Sequence, residues 1–150
     1  MRVVIQRVSS ACVSVDALAL GRIKKGLLVL VGITHDDNRE DIVWISKKIA
    51  NLRIFDDEYK VPNISVKDCK GDILMISQFT LYASTKKGNR PSYIQAAPPE
   101  VAQPLYEQLI VTLQQDIEKN IFTGKFGADM QVELVNDGPI TIIIDSKERF

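Results

Sequence analysis

Few side chains in this chain can do chemistry. Ser77-Gln78-Phe79-Thr80 sets two hydroxyls and an amide directly after the apolar run Ile73-Leu74-Met75-Ile76, where a buried strand would deliver them to its end. Asn136-Asp137-Gly138-Pro139 lies between two runs of strand character and is followed by Thr141. The usual general bases are scarce. A Ser-His-Asp triad needs a histidine as its base, and the one histidine, His35, sits in the polar segment Thr34-His35-Asp36-Asp37-Asn38, where the expected role is an exposed turn residue. Cys12 and Cys69 are far apart and have no CxxC partner, so neither a disulfide nor a structural zinc is expected, and Cys12 reads as a small buried thiol. Gly21-Arg22-Ile23-Lys24-Lys25-Gly26 lacks the Gly-Lys-Ser/Thr ending of a phosphate loop, there is no GxGxxG, and Gly124-Lys125-Phe126-Gly127 reads only as a turn. The expectation is no metal and no cofactor. The remaining groups are the Ser77, Thr80 and Thr141 hydroxyls, the Gln78 amide and the backbone. They suit a reaction in which water or the substrate supplies the nucleophile and the protein supplies orientation and oxyanion donors.

Taken alone, both segments also have plainer readings. Ser77 to Thr80 can be a sheet edge whose hydroxyls satisfy backbone groups, and Asp-Gly between strands is a strong hairpin signal. The 150 residues fit one domain, 1–150. With 45% hydrophobic and 25% charged residues the composition is that of a globular protein. Lys plus Arg and Asp plus Glu are each 19, so no global field attracts a polyanion and any nucleic-acid site must be local. The N-terminus has no uninterrupted apolar signal region, and Leu27 to Ile33 is too short to span a bilayer. No membrane partner and a cytoplasmic location are expected.

The elements that must position these residues follow from periodicity. Residues 2–8 and 11–16 read as two strands, the second alternating Ala11, Val13 and Val15 with Cys12, Ser14 and Asp16. Leu27-Leu28-Val29-Leu30-Val31 is apolar on both faces, as in a central strand covered on both sides. A helix is predicted after Asn38 as N-cap, with Glu40 and Asp41 in its first turn and Ile42, Ile45, Ile49 and Leu52 as its apolar stripe. Residues 55–70 read as a surface excursion, 72–83 as strand, and 84–91 as a mobile basic loop bearing Lys86, Lys87 and Arg90. A second helix follows Pro98-Pro99 with Val101, Leu105, Leu109, Leu113 and Ile117 buried, beginning near Gln103 or kinking at Pro104. Strands at 130–135 and 140–145 close the chain. The predicted fold class is α/β, with mixed, largely antiparallel, barrel-like layered sheets and two packed helices.

Five segments in order make the pattern specific. Ser77-Gln78-Phe79-Thr80-Leu81 and Asn136-Asp137-Gly138-Pro139-Ile140-Thr141 resemble the paired motifs of the D-aminoacyl-tRNA deacylase family. Val4-Ile5-Gln6-Arg7-Val8, Lys87-Gly88-Asn89-Arg90-Pro91-Ser92 and Ala128-Asp129-Met130-Gln131-Val132 match it as well. The resemblance runs from residue 1 to about residue 145. Ile140 replaces a frequent Val and Tyr93 a frequent Phe; neither change removes a polar group that the mechanism needs.

The resemblance implies hydrolysis of the ester of D-aminoacyl-tRNA, with aminoacylated tRNA as partner through its 3′-terminal adenosine, and a homodimer with a cross-subunit active site. It implies a cis Gly138–Pro139 bond whose two carbonyls stand in the partner subunit's pocket, where the side chain of an L-residue must go. Glycine mischarged on alanine tRNA then escapes exclusion and becomes a second substrate. The Arg7 guanidinium can orient that segment through backbone carbonyls, although an Arg snorkelling from a strand edge is the alternative. The Phe79 N–H is the implied oxyanion donor, with Gln78 positioning the substrate and Ser77 and Thr80 supporting the loop. Water is activated by the terminal 2′-hydroxyl. Met130, Asn136 and Thr141 are implied pocket residues, and Lys86, Lys87 and Arg90 tRNA contacts, against a solvated loop as the plainer reading. A non-catalytic RNA-binding module is the competing function, disfavoured by 7% aromatic residues and zero net charge.

Overall fold

The structure, a computed structural model, describes Met1–Arg149. The chain begins with β1 (Arg2–Val15), which is one long strand where two had been expected. Val3 and Ile5 face one side and Ala11 and Val13 the other, because a register shift at Val8–Ser10 turns the strand over. Ser9 and Ser10, the break in the apolar pattern, mark that bulge. One edge of β1 pairs with β3 (Gly26–Gly32) and then with β2 (Leu18–Ile23), a strand the sequence did not announce. Leu18 and Leu20 point outward on β2, so no buried alternation reveals it. The other edge carries β8 (Gln131–Asp145) in antiparallel register from Arg2 opposite Asp145 to Ser14 opposite Gln131. Here too two expected strands are one.

β3 pairs in parallel with β6 (Asp72–Ser77), and β6 with β7 (Phe122–Thr123). The expected strand over 72–83 stops at Ser77 and gives way to a single 3₁₀ turn, Phe79–Tyr82. Alternation along the parallel pair builds two cores. Leu28, Leu74 and Ile76 join Val8, Ala11 and Val13 inside the barrel-like curl of the sheet. Leu27, Val29, Ile73 and Met75 face the helices. Cover on both sides explains the unbroken apolar run of β3.

Two helices lie on that outer face: α1 (Arg39–Asn51) and α2 (Pro99–Ile117). The Asn38 side chain accepts from the Glu40 N–H, and the Asp41 carboxylate accepts from the Asn38 N–H, closing the N-terminus of α1. Ile42, Ile45 and Ile49 are fully buried, as their spacing predicts. α2 starts at Pro99 and runs through Pro104, and its buried stripe is Ala102, Tyr106, Leu109, Leu113 and Ile117. Val101, expected inside, is 41% exposed; a strict four-residue spacing drifts off the buried face of a 3.6-residue helix, so Ala102 and Tyr106 replace Val101 and Leu105 while Leu109, Leu113 and Ile117 stay inside. Ser46 of α1 donates to the Asp116 carboxylate of α2 (2.5 Å).

The excursion 55–70 is better anchored than its polar composition suggests. It contains a hairpin of β4 (Phe55–Asp56) and β5 (Pro62–Ile64), and the Phe55 and Val66 side chains are buried in the main core. No helix among the described residues is long and apolar enough to cross a membrane.

At the end of β8 a polar cluster ties the chain to α1. Asp41 accepts hydrogen bonds from Ser146 Oγ (2.6 Å) and Lys147 Nζ (2.9 Å). Burial pushes the Asp41 carboxyl up, but these bonds and the Asn38 N–H outweigh it and hold the group below the usual carboxylate range. A depressed folded value makes this stabilisation fully present above the unfolded carboxyl range and lost as pH falls from that range through the lower folded value. Asp41→Asn is therefore expected to lower the urea midpoint at pH 7. Its deficit against the parent chain should shrink as pH falls from about 5 to about 3, measured by denaturation at stepped pH.

Candidate active site

A cleft of about 560 Å³ opens beyond the carboxyl ends of the parallel strands β3 and β6, the place where open α/β sheets commonly take ligands. Val31, Ile33 and Ile76 form its floor, with Ser77, Gln78 and Phe79 leaving β6 along one wall. The N-terminal turn of α2 contributes Pro99 and Ala102, and the segment before β8 contributes Phe126, Gly127, Ala128 and Met130.

The Gln78 N–H donates to the Val31 carbonyl (2.7 Å), extending the β3–β6 ladder by one rung. The chain then tightens: Leu81 N–H donates to the Gln78 carbonyl and Ala83 N–H to that of Thr80. The Phe79 N–H opens this turn, where a helical donor has no internal partner, and among the described residues no acceptor meets it. The Gln78 amide donates to Thr80 Oγ1 (2.5 Å), which ties the Thr80 hydroxyl to the turn. Thr80 does not line the cleft. The Phe79 ring meets Tyr93 edge-on with centroids 5.0 Å apart, and both rings are substantially exposed at the rim.

None of the lining residues is His, Cys, Asp, Glu, Lys or Arg. His35 lies outside the cleft on an exposed turn, with Nε2 2.8 Å from the Ile94 carbonyl oxygen. With Thr34 Oγ1, which donates to the Gln95 carbonyl (2.6 Å), it pins the segment carrying Tyr93 and Ala96 to the end of β3.

The second segment lies elsewhere in the chain. Residues 137–140 of β8 stand opposite the single residue Arg7 of β1, since Gln6 pairs with Thr141 and Val8 with Asn136. The extra residues form an outward bulge with Gly138 and Pro139 exposed and the bond between them cis. Gly138 has φ +147°, a region that side-chain-bearing residues avoid. Asn136 closes the bulge: its Oδ1 accepts from the Ile140 N–H (2.8 Å), and its Nδ2 donates to the Ile140 carbonyl and to Thr141 Oγ1 (3.1 Å each). Arg7 is buried beneath it. Its Nε donates to the Asp137 carbonyl (2.9 Å) and one terminal nitrogen to the Ile54 carbonyl (2.7 Å).

Of the residues singled out in the sequence, Ser77, Gln78, Phe79 and Met130 come together in the cleft, with Thr80 bonded behind them. Arg7, Asn136, Gly138, Pro139 and Thr141 form a separate group that does not line the cleft of the same chain. Lys86, Lys87 and Arg90 are exposed on a loop closed by reciprocal Ser84–Ser92 hydrogen bonds, and none pairs with a carboxylate among the described residues. Sequence reasoning missed Phe126 and the Ala96–Ala97 side of the cleft. Isolated apolar residues in loops give no periodic signal.

Gly124, read only as part of a turn, shapes the cleft indirectly. A Cβ there would run into Met130 Sδ, with Ile76 and Val13 behind. Gly124→Ala should force the Met130 side chain into the cleft. The expected result is a raised KM for whatever ligand the cleft accepts, with a melting temperature within about 2–4 °C of the parent, a change equivalent to about 1 kcal/mol.

The chain is similar to known proteins along nearly its whole length. Residues 4–145 match the family model described as D-Tyr-tRNA(Tyr) deacylase. A D-aminoacyl-tRNA deacylase of Flavobacterium psychrophilum is 59% identical over 149 residues, and one of Bacteroides fragilis 60%, each alignment covering 99% of both chains. Among solved structures, the c-Myc DNA unwinding element binding protein superposes with a TM-score of 0.91 at 41% identity, covering 97% of this chain and 99% of that one. A probable eukaryotic D-amino acid tRNA deacylase superposes at 0.84, covering 95% and 97%; at 17% identity it speaks for the fold alone.

Proposed function

The chain belongs to the D-Tyr-tRNA(Tyr) deacylase family, and from that premise we propose that it hydrolyses the ester of D-aminoacyl-tRNA, releasing the D-amino acid and tRNA in the cytoplasm. The observation that carries this reading is a cleft lined by Phe79, whose N–H meets no acceptor among the described residues, and by no side chain suited to act as base. In such a site the developing oxyanion accepts from the Phe79 N–H, a donor of a kind worth roughly 2.7–4 kcal/mol. Water attacks the ester carbon, the bond to the ribose 3′-oxygen breaks, and a proton passes to that oxygen. The terminal 2′-hydroxyl orients and activates the water. Gln78 positions the acyl group, Ser77 and Thr80 support the turn, and no cofactor takes part.

Selection against L-residues is assigned to the Gly138 and Pro139 carbonyls of a second copy. Within one chain the bulge and the cleft are separate and the bulge is exposed, which supports a homodimer with a shared site. A D-residue turns only hydrogen toward those carbonyls, whereas an L-residue drives its side chain into them. Glycine meets no obstacle, so glycyl-tRNA(Ala) is a second substrate. Asn136 and Thr141 frame the bulge, and Met130 bounds the cleft. Lys86, Lys87 and Arg90 hold tRNA phosphates, a role supported by their exposure and lack of carboxylate partners among the described residues.

Incubation with D-tyrosyl-tRNA and L-tyrosyl-tRNA should deacylate the first and spare the second; equal survival of both esters defeats the proposal. Replacing the terminal 2′-hydroxyl by hydrogen should stop turnover. Thr80→Ala should retain substantial activity, since the hydroxyl serves the turn; complete loss would instead argue for a nucleophile.

A further inference from the structure

We propose that Asp56 is a positioning residue for chiral selection: with the Ile54 carbonyl it fixes the Arg7 guanidinium from the β4 side, so that the opposite side of the fork holds Asp137 and the Gly138–Pro139 bulge in place. The inference rests on the assignment of that bulge as the selecting segment.

The Arg7 side chain is 11% exposed, and a cation so enclosed needs anions and acceptors around it. Two carboxylates reach it, Asp56 at 3.5 Å from a terminal nitrogen and Asp137 at 3.7 Å from Nε. Two carbonyls accept from it, Ile54 and Asp137. The guanidinium is planar and rigid, so fixing one edge fixes the direction of the other.

The two sides differ in firmness. On the first, the Ile54 and Phe55 side chains are buried in the main core. The hairpin beyond them is tied to itself: Asp57 Oδ1 accepts from the Tyr59 and Val61 N–H groups, and Arg53 Nε donates to the Asn63 carbonyl. On the second, Asp137, Gly138 and Pro139 are all exposed. The hairpin is therefore the support and the bulge is what it carries. Asp56, at 47% exposure, adds little to stability as an isolated ion pair. Its effect is to keep the guanidinium from leaving the Asp137 carbonyl for the Asp137 carboxylate or solvent.

The test measures deacylation of D-tyrosyl-, L-tyrosyl- and glycyl-tRNA by Asp56→Ala, Asp56→Asn, Asp56→Glu and Arg7→Gln. The Ala and Asn variants should cleave the L-ester roughly tenfold faster, within the range that small misplacements produce. D-tyrosyl and glycyl cleavage should stay within about twofold of the parent, and Asp56→Glu should restore discrimination. A general loss of structure would depress all three substrates together, and that outcome overturns the inference. An unchanged L-to-D ratio in the Asp56 variants alongside a changed one in Arg7→Gln overturns it alone. An unchanged ratio in every variant overturns it together with the assignment of the bulge.

Discussion

The antiparallel pairing of β1 with β8 is the constraint on which the other features depend. Fourteen residues of one strand run beside fifteen of the other. The ladder is regular at both ends, so a mismatch in length has to be absorbed in the middle. It is absorbed in two steps: four residues of β8 stand against Arg7 alone, and next to them Ser9 is the extra residue on β1, between Val8 opposite Asn136 and Ser10 opposite Val135. The Gly138–Pro139 projection is thus a product of strand register, and its height and direction are set by groups packed under it. Asn136 spans its base and Arg7 fills the gap that the missing ladder bonds leave behind.

The cleft follows from a different part of the same sheet. β3 and β6 run parallel, end together and deliver Gln78 to a last rung on Val31. Beyond that rung no strand continues, and the chain contracts into a 3₁₀ turn whose leading N–H is left over. Two backbone irregularities, a surplus donor and a surplus bulge, therefore arise at opposite places in one sheet. Side chains at both brace these irregularities, Gln78 through the Thr80 hydroxyl and Asn136 through the Ile140 main chain.

Much of this was legible in the residues. The Asn38 cap and the Ile42, Ile45 and Ile49 stripe lie in a helix whose pattern is local, and the doubly apolar run of β3 announced its two-sided cover. The failures share a cause. β2 was missed because its outer residues are apolar, Val101 was misplaced because the core under the first turns of α2 decides which residues there are buried, and β1 and β8 were each divided because a bulge interrupts alternation. Each depends on pairing or packing with distant residues, which single-chain periodicity does not encode. The cleft residues Ser77 to Phe79 and Met130 were found through an ordered pattern of segments, whereas Phe126, in a segment that reads only as a turn, had neither pattern nor polar chemistry to mark it.

The register of Arg2 opposite Asp145 also bears on synthesis. A nascent chain emerging from the ribosome can form the parallel core and both helices while one whole edge of β1 still lacks its partner. Closure waits until β8 has emerged, well over a hundred residues after β1, a long-range step that topology makes slow. In that interval the open edge is a template for any other extended chain. Crowded polysomes making this protein therefore carry a brief window for mispairing, and it closes only when β8 docks.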